Sequence, residues 1–302
     1  MTGSMLPDGS PTQSPDISEV TLGSTLDGFT VAPERGGMVT AYTVAGVPVL
    51  YLDRPTLGGR GSVRGGIPVL FPACGPLRDG RTTLRAHEVA LPQHGFARNL
   101  PWEVFSRTAS EITLMLCRDD ATQAMYPFDF VVRCTYALRV DAPDLAVPST
   151  ALRITVSVEN HSTEPMPYSL GFHPYFAIAD KRAARFELPA TLAAENPYGE
   201  SRAFDGFDFD ADSVDLTFTD MREPRAAFEA AGWRTEIECS EQFRYFVFWT
   251  LRDRSFVCLE GWTARADALN SQRDLLCVPP GTSQDLWMEI RRTTLSSPSS
   301  CT

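Results

Sequence analysis

Four short stretches of this 302-residue chain set polar side chains among aromatics, prolines and glycines, where chemistry could be done. The first is Arg64-Gly65-Gly66-Ile67-Pro68-Val69-Leu70-Phe71-Pro72, and the second is Gln93-His94-Gly95-Phe96-Ala97-Arg98, with Trp102 close behind. The third is Gly171-Phe172-His173-Pro174-Tyr175-Phe176, and the fourth is Cys258-Leu259-Glu260-Gly261-Trp262-Thr263. Glu260 follows the apolar run Phe256 to Leu259. A carboxylate is seldom buried alone, so it either pairs with an arginine or has a functional pKa. His173 reads equally as a satisfied core histidine or as an acid/base group. His94 fits a surface turn as well as a site. Arg64 either opens a turn or, with its two following glycines, lets an anion approach the backbone closely.

Several chemistries are absent. No P-loop, no G-x-S-x-G elbow and no H-E-x-x-H helix is present. His87 and His94 stand seven residues apart without a third ligand, so no metal is expected. Lys181 is the single lysine, which weakens any Schiff-base mechanism and leaves anion binding to arginine. A net charge of −11 and the lack of interleaved basic and aromatic residues argue against nucleic acid and anionic membrane as partners. Seven dispersed cysteines without C-x-x-C spacing read as reduced thiols. The start of the chain lacks the pattern of a signal peptide, and no apolar run approaches the roughly 18 residues of a membrane span. A cytoplasmic protein is expected.

The elements that must position these stretches are strands. In Ala151-Leu152-Arg153-Ile154-Thr155-Val156-Ser157-Val158 apolar and polar residues alternate, which gives a strand with one wet face. The runs beginning at Glu111, Val131, Arg244 and Asp285 are similar, and are rich in β-branched or aromatic residues. Helical periodicity persists nowhere; residues 222–231 are the best short helix candidate. With 21 Gly and 23 Pro between the strands, the fold expected is all-β, a large antiparallel sandwich. One domain is expected over 18–293, with a disordered tail at 1–17 and a flexible one at 294–302.

Taken together and in order, the four stretches resemble the aldose 1-epimerase (galactose mutarotase-like) superfamily, and more closely its hexose-6-phosphate mutarotase branch. The resemblance runs from about residue 20 to 292. It implies a β-sandwich with a shallow sugar site on one concave sheet, and an isomerase that needs no cofactor. His173 matches the family's catalytic histidine and Glu260 its catalytic glutamate. Arg64, His94 and Arg98 fall on pocket-lining positions, the two arginines as phosphate contacts. The family also places an aspartate on the sugar hydroxyls; Asp220, in Thr219-Asp220-Met221-Arg222, is the nearest match, although the expected tyrosine is missing. Gly261 stands where proline is expected and would loosen a loop there.

Mutarotation suits these residue types. A base takes the O1 proton while an acid protonates the ring oxygen, and the two groups then run in reverse. The expectation is Glu260 as base and His173 as an acid protonated near neutrality. A sugar phosphate needs at least two converging donors in so acidic a protein. Against that reading, Arg64 or Arg98 could instead pair with Asp53 or Glu103. Two alternatives stand beside it: a mutarotase for an unphosphorylated aldose, and a non-catalytic carbohydrate-binding protein.

Overall fold

The period-two alternation becomes two large antiparallel sheets in the computed structural model, which describes residues 17–59, 61–141 and 149–295. The back sheet runs in spatial order Arg185–Glu187, Arg225–Ala230, Trp233–Cys239, Ser283–Thr294, Ser149–Asn160, Phe130–Asp141, Glu111–Cys117 and Glu103–Arg107. The front sheet runs Arg202–Ala203, Leu192–Glu195, Ser213–Phe218, Tyr245–Leu251, Phe256–Trp262, Gly171–Phe172 and Val69–Leu70. Tyr175–Ala177 also pairs with Phe256–Trp262. A smaller sheet formed by four strands between Val20 and Pro48 completes the frame.

The core lies between the two large sheets. Leu152, Ile154, Val156 and Val158 are completely buried and share one apolar cluster with Phe246, Phe248, Val257 and Leu259 of the front sheet. Rings bridge the layers: Phe186 meets Phe248 at 5.0 Å, and Phe228 meets Phe176 at 5.2 Å. Each such side chain contributes roughly 1.5–3 kcal/mol on burial. The sandwich is therefore a rigid base for whatever stands on the front sheet's other face.

The helix expected at 222–231 is a strand. Arg225–Ala230 pairs on one side with Trp233–Cys239 and on the other with Arg185–Glu187. Ala231 and Gly232 form a two-residue hairpin turn, with φ of 51° and 80°. Ladder bonds on both sides override the modest helix preference of an alanine-rich segment. Of the expected tails, only Ile17, Thr294 and Leu295 lie within the described residues, and Thr294 still belongs to the last strand. Six cysteines are free thiols, three of them (Cys134, Cys239 and Cys258) buried in strands. Among the described residues no helix is long and apolar enough to cross a membrane.

Candidate active site

Alternation along Phe256–Trp262 sends Val257 and Leu259 into the core, and Cys258, Glu260 and Trp262 to the opposite face. On the neighbouring strand, Val247 pairs with Glu260 and Trp249 with Cys258; one strand further, Asp215 pairs with Trp249. Val247, Trp249, Asp215, Glu260 and Trp262 thus form the floor of a cleft of about 450 Å³. That lies within the size range of small-molecule sites.

Loops from the other motifs wall this cleft. Phe71 is the hinge of the arrangement: its carbonyl accepts from the Phe96 and Ala97 N–H groups at 3.0 and 3.2 Å. A Cβ on Gly95 would fall 2.1 Å from that oxygen, so only glycine fits there. This contact delivers His94 and Arg98 to the cleft. His173 is fixed by its own N–H, which donates to Pro68 at 3.0 Å, and by the Tyr175 ring stacked on it at 4.8 Å. All four motifs expected from the sequence therefore meet at one place.

His173 and Glu260 form the centre. Nε2 of His173 lies 3.2 Å from Oε1 of Glu260, and the Trp262 indole N–H donates to Oε2 at 3.0 Å. Glu260 is 1% exposed and His173 7%, and no arginine pairs with the carboxylate among the described residues. Burial pushes the Glu260 carboxyl well above the ordinary range; Asp215 adds to this, against the weaker pull of Trp262 and Arg98. Burial likewise pushes His173 well below 6.5, and the positive charge of Arg98 adds to that. The imidazolium expected near neutrality is therefore disfavoured. The physical reason is desolvation, which favours the neutral form of each group, and at this distance the two titrate together.

His94 is no surface turn. It is 6% exposed and stands edge-on to both His173 and Trp262, at 5.6 Å. Its Nδ1 accepts from the Gly75 N–H at 3.0 Å. Burial, followed by His173 and Arg98, pushes its pKa well below 6.5. The ring is thus neutral with its proton on Nε2, which lies 3.3 Å from the Gln93 side-chain amide at the cleft wall.

The arginines carry the positive charge of the cleft. Neither Arg64 nor Arg98 forms an ion pair among the described residues; Asp53 is met instead by Arg254, at 3.8 Å. Arg98 donates to the Gln93 carbonyl at 3.1 Å, while its Nε is buried without a partner. Arg64 is exposed and its guanidinium lies 5.3 Å from the centre of the Trp249 ring. At the glycines after it, Cβ atoms would collide with Tyr51, Leu52, Met38 and Val39, so they allow backbone segments to approach closely.

Two readings of the sequence are corrected. Asp220 does not line the cleft. Its carboxylate accepts from the Thr191 N–H and hydroxyl and from the Leu192 N–H, which makes it a turn clamp. Asp215 occupies the cleft instead, accepting from Asn196 Nδ2 at 2.6 Å, and burial on the cleft floor raises its pKa although the residue still meets solvent. Gly261 lies in a strand and not in a loop: it pairs with Phe246, and a Cβ there would lie 2.8 Å from Cys239 Sγ. Asp215 escaped notice because Ser213, Asp215 and Thr217 alternate with Val214, Leu216 and Phe218, a pattern identical to that of a solvent face. Trp249 was likewise hidden inside an apolar strand.

Residues 19–291 match the aldose 1-epimerase family. A crystal structure of the Slr1438 protein from Synechocystis is 34% identical, covers 95% of this chain and 100% of its own, and superposes with a TM-score of 0.87. A galactose mutarotase-like protein from Clostridium acetobutylicum shares the fold at a TM-score of 0.73 and 19% identity, covering 92% of this chain and 96% of its own. An Escherichia coli protein provisionally named glucose-6-phosphate 1-epimerase is 36% identical over 152 residues, which is 48% of this chain and 44% of that protein. The matched segment thus spans less than half of that relative's length.

Proposed function

Because the chain belongs to the aldose 1-epimerase family, we propose that it is a mutarotase that interconverts the α and β anomers of a hexose phosphate, with His173 and Glu260 moving the protons and Arg64 and Arg98 receiving the phosphate. The observation that carries the proposal is the 3.2 Å contact between His173 Nε2 and Glu260 Oε1 on the floor of the cleft.

The proton balance suits such a pair. Ring opening removes the proton from O1 and adds one to the ring oxygen as the C1–O5 bond breaks. The aldehyde then rotates about C1–C2, and the reverse transfers close the ring on its other face. One proton enters the pair as one leaves it, so a pair that rests with a single proton needs nothing further. With Glu260 as base, that proton must sit on His173. Arg98 and Arg64 both hold His173 down, beyond the effect of burial itself. A phosphate between the arginines cancels that charge and moves the shared proton toward His173. The neutral His94 donor and the carboxylate of Asp215 are placed to take sugar oxygens and hydroxyls.

The relative's provisional name supports the phosphorylated substrate, as do two arginines without acidic partners among the described residues of a chain of net charge −11. Saturation-transfer NMR of anomer exchange, with glucose 6-phosphate and glucose compared side by side, tests the reading. Exchange accelerated only for the phosphate is the expected result. Acceleration of glucose alone would make the substrate a free aldose, and acceleration of neither would leave a sugar-binding protein.

A further inference from the structure

The strand alternation that aims Glu260 at the cleft also aims Cys258, two residues earlier, to the same side. Cys258 takes no part in the proton transfers described above and does not line the cleft; it is fully buried beside the acid/base pair, packed with Tyr175 and Phe256. One ligating atom each from His173, Cys258 and Glu260 lies within 4.8 Å of the others, and all three side chains are buried. We propose that these three residues form a binding site for a thiophilic divalent cation of the zinc class, and that occupation of the site switches the enzyme off.

The donor set and spacing suit such an ion. A nitrogen, a sulfur and a carboxylate oxygen make up a three-ligand zinc set with one position open. Two bonds of about 2.1 Å at a tetrahedral angle span about 3.4 Å, close to the 3.2 Å between His173 Nε2 and Glu260 Oε1. The three ligating atoms, within 4.8 Å of one another, must draw together for the sulfur to join them. Charge balance favours the same ion. Thiolate and carboxylate together carry two negative charges, so a bound divalent cation leaves the buried site neutral, and a buried net charge is what such a site cannot hold cheaply. Magnesium and calcium are disfavoured, since they require mostly oxygen ligands. The open position faces the cleft, where water or a sugar oxygen completes the tetrahedron. In that state neither His173 nor Glu260 can exchange a proton.

Cobalt(II) and zinc are the probes, added to the full-length enzyme freed of metal by a chelator. One equivalent of cobalt is expected to give a thiolate-to-cobalt charge-transfer band, and zinc is expected to displace it while stopping anomer exchange of whichever sugar the enzyme turns over. Cys258→Ser is expected to lose the band, to weaken zinc inhibition by at least about tenfold, and to retain metal-free turnover. Cys117→Ser and Cys277→Ser, which remove the two exposed thiols among the described residues, are expected to keep the band. Should Cys258→Ser not fold, loss of the band in Glu260→Gln gives the answer. A band that survives in Cys258→Ser or in Glu260→Gln, or zinc inhibition unchanged by Cys258→Ser, would each overturn the site.

Discussion

His173 Nε2 stands 3.2 Å from Glu260 Oε1, with both side chains nearly closed off from solvent. At that distance the two groups titrate as one unit, and neither can be altered without changing the proton affinity of the other. Groups that act as a unit give strongly non-additive effects. Glu260→Gln and His173→Asn should each lower the turnover number for anomer exchange by about 10²–10⁴-fold. The double variant should be no worse than the poorer single one. Multiplying losses, measured by saturation-transfer NMR, would show two independent catalysts instead of a pair.

The arginines should separate binding from chemistry. Arg64 is exposed and contacts Trp249 by its face, so removing its charge leaves the wall intact. A charge-assisted hydrogen bond contributes about 1.5–3 kcal/mol. Arg64→Met should therefore raise KM for a hexose 6-phosphate by roughly 10- to 100-fold, and leave KM for an unphosphorylated hexose unchanged. Arg64→Lys should recover only part of the loss, because an ammonium offers no two-pronged contact. An equal effect on both sugars would place the phosphate elsewhere.

Two aspartates five residues apart should give opposite phenotypes. Asp220 satisfies the Thr191 and Leu192 backbone and a hydroxyl, and does not line the cleft. Asp220→Ala should lower stability by about 1–2 kcal/mol and spare kcat/KM per folded molecule. Asp215 is held by Asn196 on a cleft floor that desolvates it. Asp215→Asn should leave the denaturation midpoint unchanged or raised, and should lower kcat/KM by more than tenfold if its carboxylate binds sugar hydroxyls, at about 1.5–3 kcal/mol for a charged hydrogen bond. Denaturant melts and kinetics on the same preparations check both.

The contrast shows where sequence reasoning reached and where it stopped. The sandwich was legible because each sheet has one face in the core, so Leu152, Ile154, Val156 and Val158 announce their strand by alternation alone. His173, Glu260, His94, Arg64 and Arg98 were legible because polar residues among glycines and aromatics interrupt that rhythm. Asp215 was not, since a cleft floor and a solvent face have the same polar alternation until the sheet's curvature and loops are known. The charge state of His173 was also beyond reach: it depends on how completely the loops at 66–71 and 92–98 close over it. Residues 222–231 misled for the opposite reason. A local alanine preference was outvoted by ladder partners at 185–187 and 233–239, the first of them about 40 residues distant.

Lys181, the only lysine, spends its charge on the backbone that carries the floor of the cleft. Its ammonium donates to Thr250 Oγ1 at 3.0 Å, to the Leu251 carbonyl, and to the Arg252 carbonyl at 3.2 Å. These acceptors lie at the turn that joins Tyr245–Leu251 to Phe256–Trp262, the two strands bearing Trp249 and Glu260. Lys181→Met leaves those oxygens to water and should cost about 1–3 kcal/mol of stability, which for a domain of this size lowers Tm by several degrees. Arginine should not restore it, because its planar fork cannot converge on three oxygens as an ammonium does. The clamp stands at the far end of the hairpin from Glu260, so turnover at low temperature should be unaffected. A fall in kcat without a fall in Tm would instead place Lys181 in the catalytic machinery.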